Sequence, residues 1–167
     1  MLALVAFDPG PKLLDVVGVG NDRWTAMETA YIPMLAAGSP LIVVDSDHWN
    51  SNETYNQSEM VFIRGDRFEL IDSIFTFGES FCAYSRVEEP TYRAIAGPGA
   101  YRAVEVSVKE TVKRTGEEGC SDEKPPPAGV HVYSGVYRWD AAKGRYVGRS
   151  KALERLAALN QARVNGE

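Results

Sequence analysis

Three separated stretches of this chain share one outline, an apolar strand, a tight polar turn and a second strand. They are Leu4 to Val17 around Asp8-Pro9-Gly10, Met60 to Ile74 around Gly65-Asp66, and Gly135 to Val147 around Lys143-Gly144. Leu13-Leu14-Asp15 matches Leu70-Ile71-Asp72, and Gly65-Asp66-Arg67-Phe68 resembles Gly144-Arg145-Tyr146. Recurring hairpins limit what the chain can become, because each can bury an apolar face only against its neighbours. The expected fold is mainly β, with antiparallel hairpin repeats in an open propeller-like or two-sheet arrangement and a C-terminal helix.

Further strand signals agree. Leu41-Ile42-Val43-Val44 is a continuous apolar run of the kind that is buried on both faces. Between Arg102 and Arg114, Val104, Val106, Val108 and Val112 alternate with Glu105, Ser107, Lys109, Thr111 and Lys113. That period of two predicts a strand with one face on a core and the other in water. The helix is expected over residues 150–164. Ser150 is its N-cap, and Leu153, Leu156, Ala157 and Asn160 fall on one face. It would lie across a sheet face or cover an edge strand. Thr25 to Ala37 has some helical character, interrupted by Pro33. Residues 116–129, charged and carrying Pro125-Pro126-Pro127, read as a loop insertion.

At 167 residues the chain is long enough for one domain, burying roughly 70% of its unfolded surface. A net charge of −5 and scattered basic residues argue against nucleic acid as a partner. No segment approaches the roughly 20 apolar residues of a membrane-spanning helix, so no transmembrane segment is expected. The apolar start Met1 to Phe7 runs directly into Asp8-Pro9 and reads as a strand. A chain opening inside a hairpin suggests the trimmed part of a longer protein.

Cys82 and Cys120 are the only cysteines, with 37 residues between them. One reading is two reduced thiols in a cytoplasmic domain. The other is a disulfide, favoured by the polar surroundings of Cys120, since a free thiol prefers a core. A bond would place the protein in an oxidising compartment, periplasmic or secreted.

The densest polar cluster is Asp45-Ser46-Asp47-His48-Trp49-Asn50-Ser51-Asn52-Glu53, directly after the apolar run. The expectation is a loop from Asp45 to Tyr55 that carries function, since sites tend to lie on loops held by rigid strands. Its contact set would be Asp45, Asp47, His48, Trp49 and Asn50. Asp45, Asp47, Asn50 and Asn52 offer the oxygen donors that calcium prefers, or Asp45 and Asp47 an Asp-x-Asp pair for a catalytic metal. Against both stands a plain turn, for which Asp, Ser and Asn are ordinary residues. His48 and His131 are the only histidines. His131 falls on an expected strand.

The residues Val136-Tyr137-Arg138-Trp139-Asp140 and Lys143-Gly144-Arg145-Tyr146 make the hairpin outline resemble FG-GAP/VCBS-type β-repeat proteins, and bacterial envelope proteins with Tyr-x-Trp-Asp hairpins. The resemblance covers the hairpins, about a third of the chain. Those repeats carry an Asp-x-Asp-x-Asp-Gly calcium loop. Asp45-Ser46-Asp47 lacks its third aspartate and glycine, so calcium is not implied and no cofactor is expected from it. The chain is also too short for a closed propeller. The functional expectation is a non-catalytic binding or structural module of the bacterial envelope, its partner a protein or small molecule. A metal-dependent enzyme using Asp45 and Asp47, and a secreted inhibitor of a hydrolase, are the alternatives.

Overall fold

The computed structural model describes residues 1–20, 24–28, 32–115, 125–148 and 150–165. The strands are β1 (Leu2–Ala6), β2 (Lys12–Val17), β3 (Trp24–Met27), β4 (Met34–Ala36), β5 (Ser39–Trp49), β6 (Glu53–Arg64), β7 (Arg67–Ser80), β8 (Tyr84–Ile95), β9 (Ala103–Arg114), β10 (Gly129–Asp140) and β11 (Arg145–Val147), followed by the helix α1 (Lys151–Val164). β1 and β2 form a separate two-stranded sheet. The rest form a nine-stranded sheet in the order β11-β10-β9-β8-β7-β6-β5-β3, with β4 beside β5. Every pairing is antiparallel. The fold is mainly β, in a two-sheet arrangement with one C-terminal helix.

All three expected hairpins are present, as β1–β2, β6–β7 and β10–β11. They occupy unlike places: a separate sheet, the centre of the large sheet and its end. Arg64 pairs with Arg67 across a two-residue turn in which Gly65 and Asp66 both take positive φ, 55° and 62°. That is the backbone a tight hairpin with right-handed strand twist demands.

The large sheet is almost divided in two. β7 and β8 are paired only at Glu79↔Arg86 and Ser80↔Ser85, after which they part. The inner faces then meet. Leu41, Val43, Met60, Phe62 and Ile74 from β5–β7 share a core with Ala94, Val104, Val106, Val108 and Tyr137 from β8–β10. Phe62 sits edge-on to Tyr146 and Trp139, with ring centres 5.2 and 6.0 Å away. The Tyr137 hydroxyl donates to Asp72 at 2.6 Å. On the opposite face of β5 and β6, Ile42, Val44 and Val61 pack with Val19, Leu2 and Val17 of the β1–β2 region. This double covering explains why Leu41 to Val44 is apolar without a break.

The helix begins as its N-cap predicts. The Ser150 hydroxyl accepts the Leu153 N–H at 3.2 Å and donates to the Ser134 carbonyl at 2.6 Å. Leu153 and Leu156 enter the main core and Asn160 is buried with them. Gly148, just before it, takes φ +125°, and a Cβ there would stand 2.5 Å from the Val136 carbonyl oxygen. Only glycine lets the chain pass this close to β10.

Two expectations need correction. Within Thr25 to Ala37 the described residues form β3 and β4 and no helix. Pairing along β5 overrides the helix propensity of the Ala, Met and Leu residues there. Nor is Asp45 to Tyr55 a loop. β5 runs through Asp45, Asp47 and His48 to Trp49, β6 starts at Glu53, and only residues 50–52 form the turn. The polar residues stay extended because each has a ladder partner, Asp45↔Ser58 and Asp47↔Asn56 among them. Of the expected insertion over residues 116–129, 116–124 lie outside the described residues, and Gly129 already belongs to β10.

Candidate functional site

Along β5 the side chains alternate between faces, so Leu41, Val43, Asp45, Asp47 and Trp49 share one. The first two belong to the main core. The strand turns polar where β8 draws away from β7, and a cleft of about 490 Å³ opens there. One wall carries Asp45, Asp47, Thr54 and Asn56, and the other Arg86, Val87, Glu88 and Pro90 of β8. This volume suits a small organic molecule.

The two aspartates are held by uncharged neighbours. Asp45 accepts the Ser58 hydroxyl, Asp47 accepts the Asn56 amide, and Ser58 and Asn56 are joined at 3.1 Å. Burial pushes the Asp45 carboxyl above its ordinary value, with the Ser58 hydrogen bond pulling the other way. Trp24 lies opposite Asp47 in the β3–β5 ladder and so shares its face. Its ring centre is 5.4 Å from that of Trp49. Both rings are half exposed, Trp24 at 51% and Trp49 at 50%. Two tryptophans are thus held together in water beside the aspartates.

The opposite wall is backed by a cluster of buried charge. Glu88 and Glu110 face each other directly across β8 and β9, and His131 continues the row on β10. Like charges so placed repel, and the arrangement is held by two arginines. Arg86 reaches Glu79 at 2.6 Å and Glu110 at 3.2 Å. Arg163, from the last turn of α1, reaches Glu88 at 2.8 Å and Glu110 at 2.7 Å. Glu88 also accepts the Phe77 N–H at 3.0 Å and the Asn160 amide at 2.7 Å. Its Phe77 bond satisfies a strand N–H left without a partner where β8 departs. Burial raises the Glu88 carboxyl above its usual value, opposed by the Phe77, Asn160 and Arg163 contacts.

The expected contact set is divided. Asp45 and Asp47 line the cleft, and Trp49 stacks on Trp24 beside it. His48 lies on the other face of β5, with its ring 5.9 Å from Tyr55. Asn50 is a turn residue, its side-chain oxygen accepting the N–H groups of Asn52 and Glu53 at 3.0 and 2.9 Å. The calcium set Asp45, Asp47, Asn50 and Asn52 is therefore split between the cleft and the hairpin turn. Among the described residues no group of three or more His, Cys, Asp or Glu side chains is placed to hold a metal ion. His131 sits on β10 with Nδ1 3.3 Å from Glu110. Cys82 lies in the exposed β7–β8 turn, and among the described residues no cysteine is free. Its expected partner, Cys120, lies outside them.

Arg86, Glu88, Glu110 and Arg163 were not foreseen. One signal for them exists: Glu110 occupies a place on the Val104–Val106–Val108–Val112 face, where alternation calls for an apolar residue. A charge at a core position announces a buried partner.

No family model, curated protein or solved structure matches this chain. Among the described residues no helix is long and apolar enough to cross a membrane.

Proposed function

We propose that the protein is a non-catalytic binding module of the bacterial envelope, and that its cleft takes a small organic cation. One observation carries the reading. Asp45 and Asp47 point into a cleft with no Lys or Arg among the described residues paired to either, while Arg86, the cation in the wall, is committed to Glu79 and Glu110. The Trp24–Trp49 pair favours an organic ammonium over a bare ion, since an aromatic face attracts a cation by roughly 0.5–1 kcal/mol at exposed sites.

Diaminobutane is the probe. Calorimetric titration at constant ionic strength should show binding that potassium chloride does not reproduce. The Asp45→Asn, Asp47→Asn double variant should weaken it at least about tenfold, the equivalent of roughly 1.4 kcal/mol. Equal binding by the double variant would defeat the proposal.

The pH dependence has two opposite signs. Asp45 and Glu88 have raised folded-state values, so the empty fold is favoured when they are protonated. Their contribution to stability is complete below the ordinary carboxylate range and is lost as pH rises through the raised values. Cation binding needs Asp45 ionised, so affinity should increase as pH rises through its raised value. Melting temperatures measured with and without diaminobutane should therefore diverge as pH rises from about 4 towards 7. Parallel curves would contradict this.

The envelope assignment rests on the cysteines. We propose that Cys82 and Cys120 are bonded, because Cys82 is exposed in a turn and gains nothing there from core burial. Closing this loop would stabilise the fold by roughly 4 kcal/mol on the chain-entropy model. Thiol titration of unfolded, unreduced protein should find no free thiol; two free thiols would remove the support.

A further inference from the structure

We infer that the open edge of β10 accepts an acidic, extended segment of another polypeptide as an added strand. That edge is closed along much of its length. β11 pairs with residues 138–140, the Ser134 carbonyl takes the Ser150 hydroxyl at 2.6 Å, and Gly148 runs against the Val136 carbonyl. From Gly129 to Tyr133 no strand lies on that side among the described residues. This window holds no lysine, arginine, proline or bulge, the usual means by which an edge is kept from pairing. It takes no part in the cleft.

The backbone of the window is aimed outward. In an antiparallel strand the N–H and C=O of every second residue face the same edge. The carbonyls of Ser134 and Val136 face away from β9, as their contacts with Ser150 and Gly148 show. The β9–β10 register runs without a shift from Gly129 to Tyr137, so Val132 and Val130 turn their N–H and C=O groups to the open side. Two residues thus offer two donors and two acceptors, in the spacing that a further strand matches. Their side chains, 62% and 59% exposed, stand on the face of the sheet away from the main core.

A groove of about 340 Å³ beside the window sets the chemistry of the guest. It is lined by Val87, Glu89, Lys109, Thr111, Lys113 and Val130. The two lysines outnumber Glu89, whose contact with Lys109 is long, 3.5 Å, and exposed, so it holds Lys109 weakly. Lys109 stands opposite Val132 in the ladder and Thr111 opposite Val130. A strand added to β10 would lie about 5 Å from it and about 10 Å from β9, within the joint reach of a lysine and a glutamate side chain. Acidic residues on the guest would meet the lysines, and a β-branched residue between them would cover Val130. The net charge of −5 is spread over the whole chain, and screening over about 8 Å leaves the local excess of lysine in control. Main-chain bonding supplies the attachment and the groove supplies selectivity, as at other strand-addition sites.

The probe is a fluorescein-labelled peptide, Thr-Glu-Thr-Val-Thr-Glu-Thr, titrated against the full chain by fluorescence anisotropy, with a peptide carrying lysine for glutamate as its counterpart. The glutamate peptide should bind saturably and at least about fivefold more tightly than the lysine one. Val132→Pro removes one outward N–H. Proline is accepted on an edge whose N–H faces solvent. This variant should therefore melt close to the parent, yet bind the glutamate peptide at least about fivefold more weakly. The double variant Lys109→Glu, Lys113→Glu should reverse the order of the two peptides. Extensive unfolding of Val132→Pro would show that its N–H is bonded within the sheet and would overturn the proposal. So would equal binding by the parent and Val132→Pro, or an unchanged peptide order in the double variant. A chain that dimerises on sedimentation, loses the dimer in Val132→Pro and binds neither peptide would assign the edge to a second copy, and the acidic partner falls.

Discussion

Glu110→Ala is expected to destabilise the protein by about 3–5 kcal/mol, the usual consequence of removing one partner from a buried ion cluster. Glu110 is 3% exposed and touches both Arg86 and Arg163. Its removal takes away the carboxylate that Arg86 and Arg163 share, leaving Glu79 alone on Arg86 and Glu88 alone on Arg163 around an emptied buried position. Relief of repulsion from Glu88 opposes this, but a repulsion already screened by two arginines is the smaller quantity. The urea midpoint of Glu110→Ala should fall accordingly, with the slope unchanged. A loss under about 1 kcal/mol would mean that the cluster is solvated and not a clamp.

Phe62→Ala should be as damaging, at about 3–5 kcal/mol, for an unrelated reason. Phe62 is fully buried and its ring meets Tyr101, Trp139 and Tyr146. It comes from β6, whereas Trp139 and Tyr146 come from β10 and β11, so one ring joins the two halves of the sheet. The three remaining aromatic groups cannot collapse around a missing ring without giving up the contacts they make with one another. Equilibrium unfolding measures the loss, and near-ultraviolet circular dichroism should weaken as Trp139 and the tyrosines lose their fixed surroundings. A variant within about 1 kcal/mol of the parent, with its dichroism intact, would show that this corner repacks freely.

These two residues show where a linear reading succeeds and where it stops. The β9 alternation was legible because a strand's period is local, as was the Ser150 cap, whose partner lies three residues away. The hairpins were legible from their turns. Asp45 to Trp49 misled because Asp, Ser and Asn favour turns when nothing pairs with them, and here Ser58 and Asn56 do. The aspartates of the cleft could be nominated from sequence, since they are close together on one strand. Their opposite wall could not. Bringing Asp47 and Glu88 to one cleft depends on where β8 leaves β7, and no residue pattern within either strand specifies that parting. Arg163 is further still, 53 positions after Glu110, and only the path of α1 over the sheet unites them.

The parting of β7 and β8 also bears on how this protein behaves in a crowd of its own copies. A strand that leaves its neighbour after two residue pairs normally exposes a row of amides and carbonyls to which another chain can add. Here the vacancy is filled by side chains. The Phe77 N–H is taken by Glu88, and the Phe75 carbonyl faces the Asn160 amide at 3.4 Å. An intruding strand would have to expel a buried carboxylate together with the arginine that neutralises it. The same charges that fasten the helix thus guard the sheet against self-association at the place where its own pairing gives out.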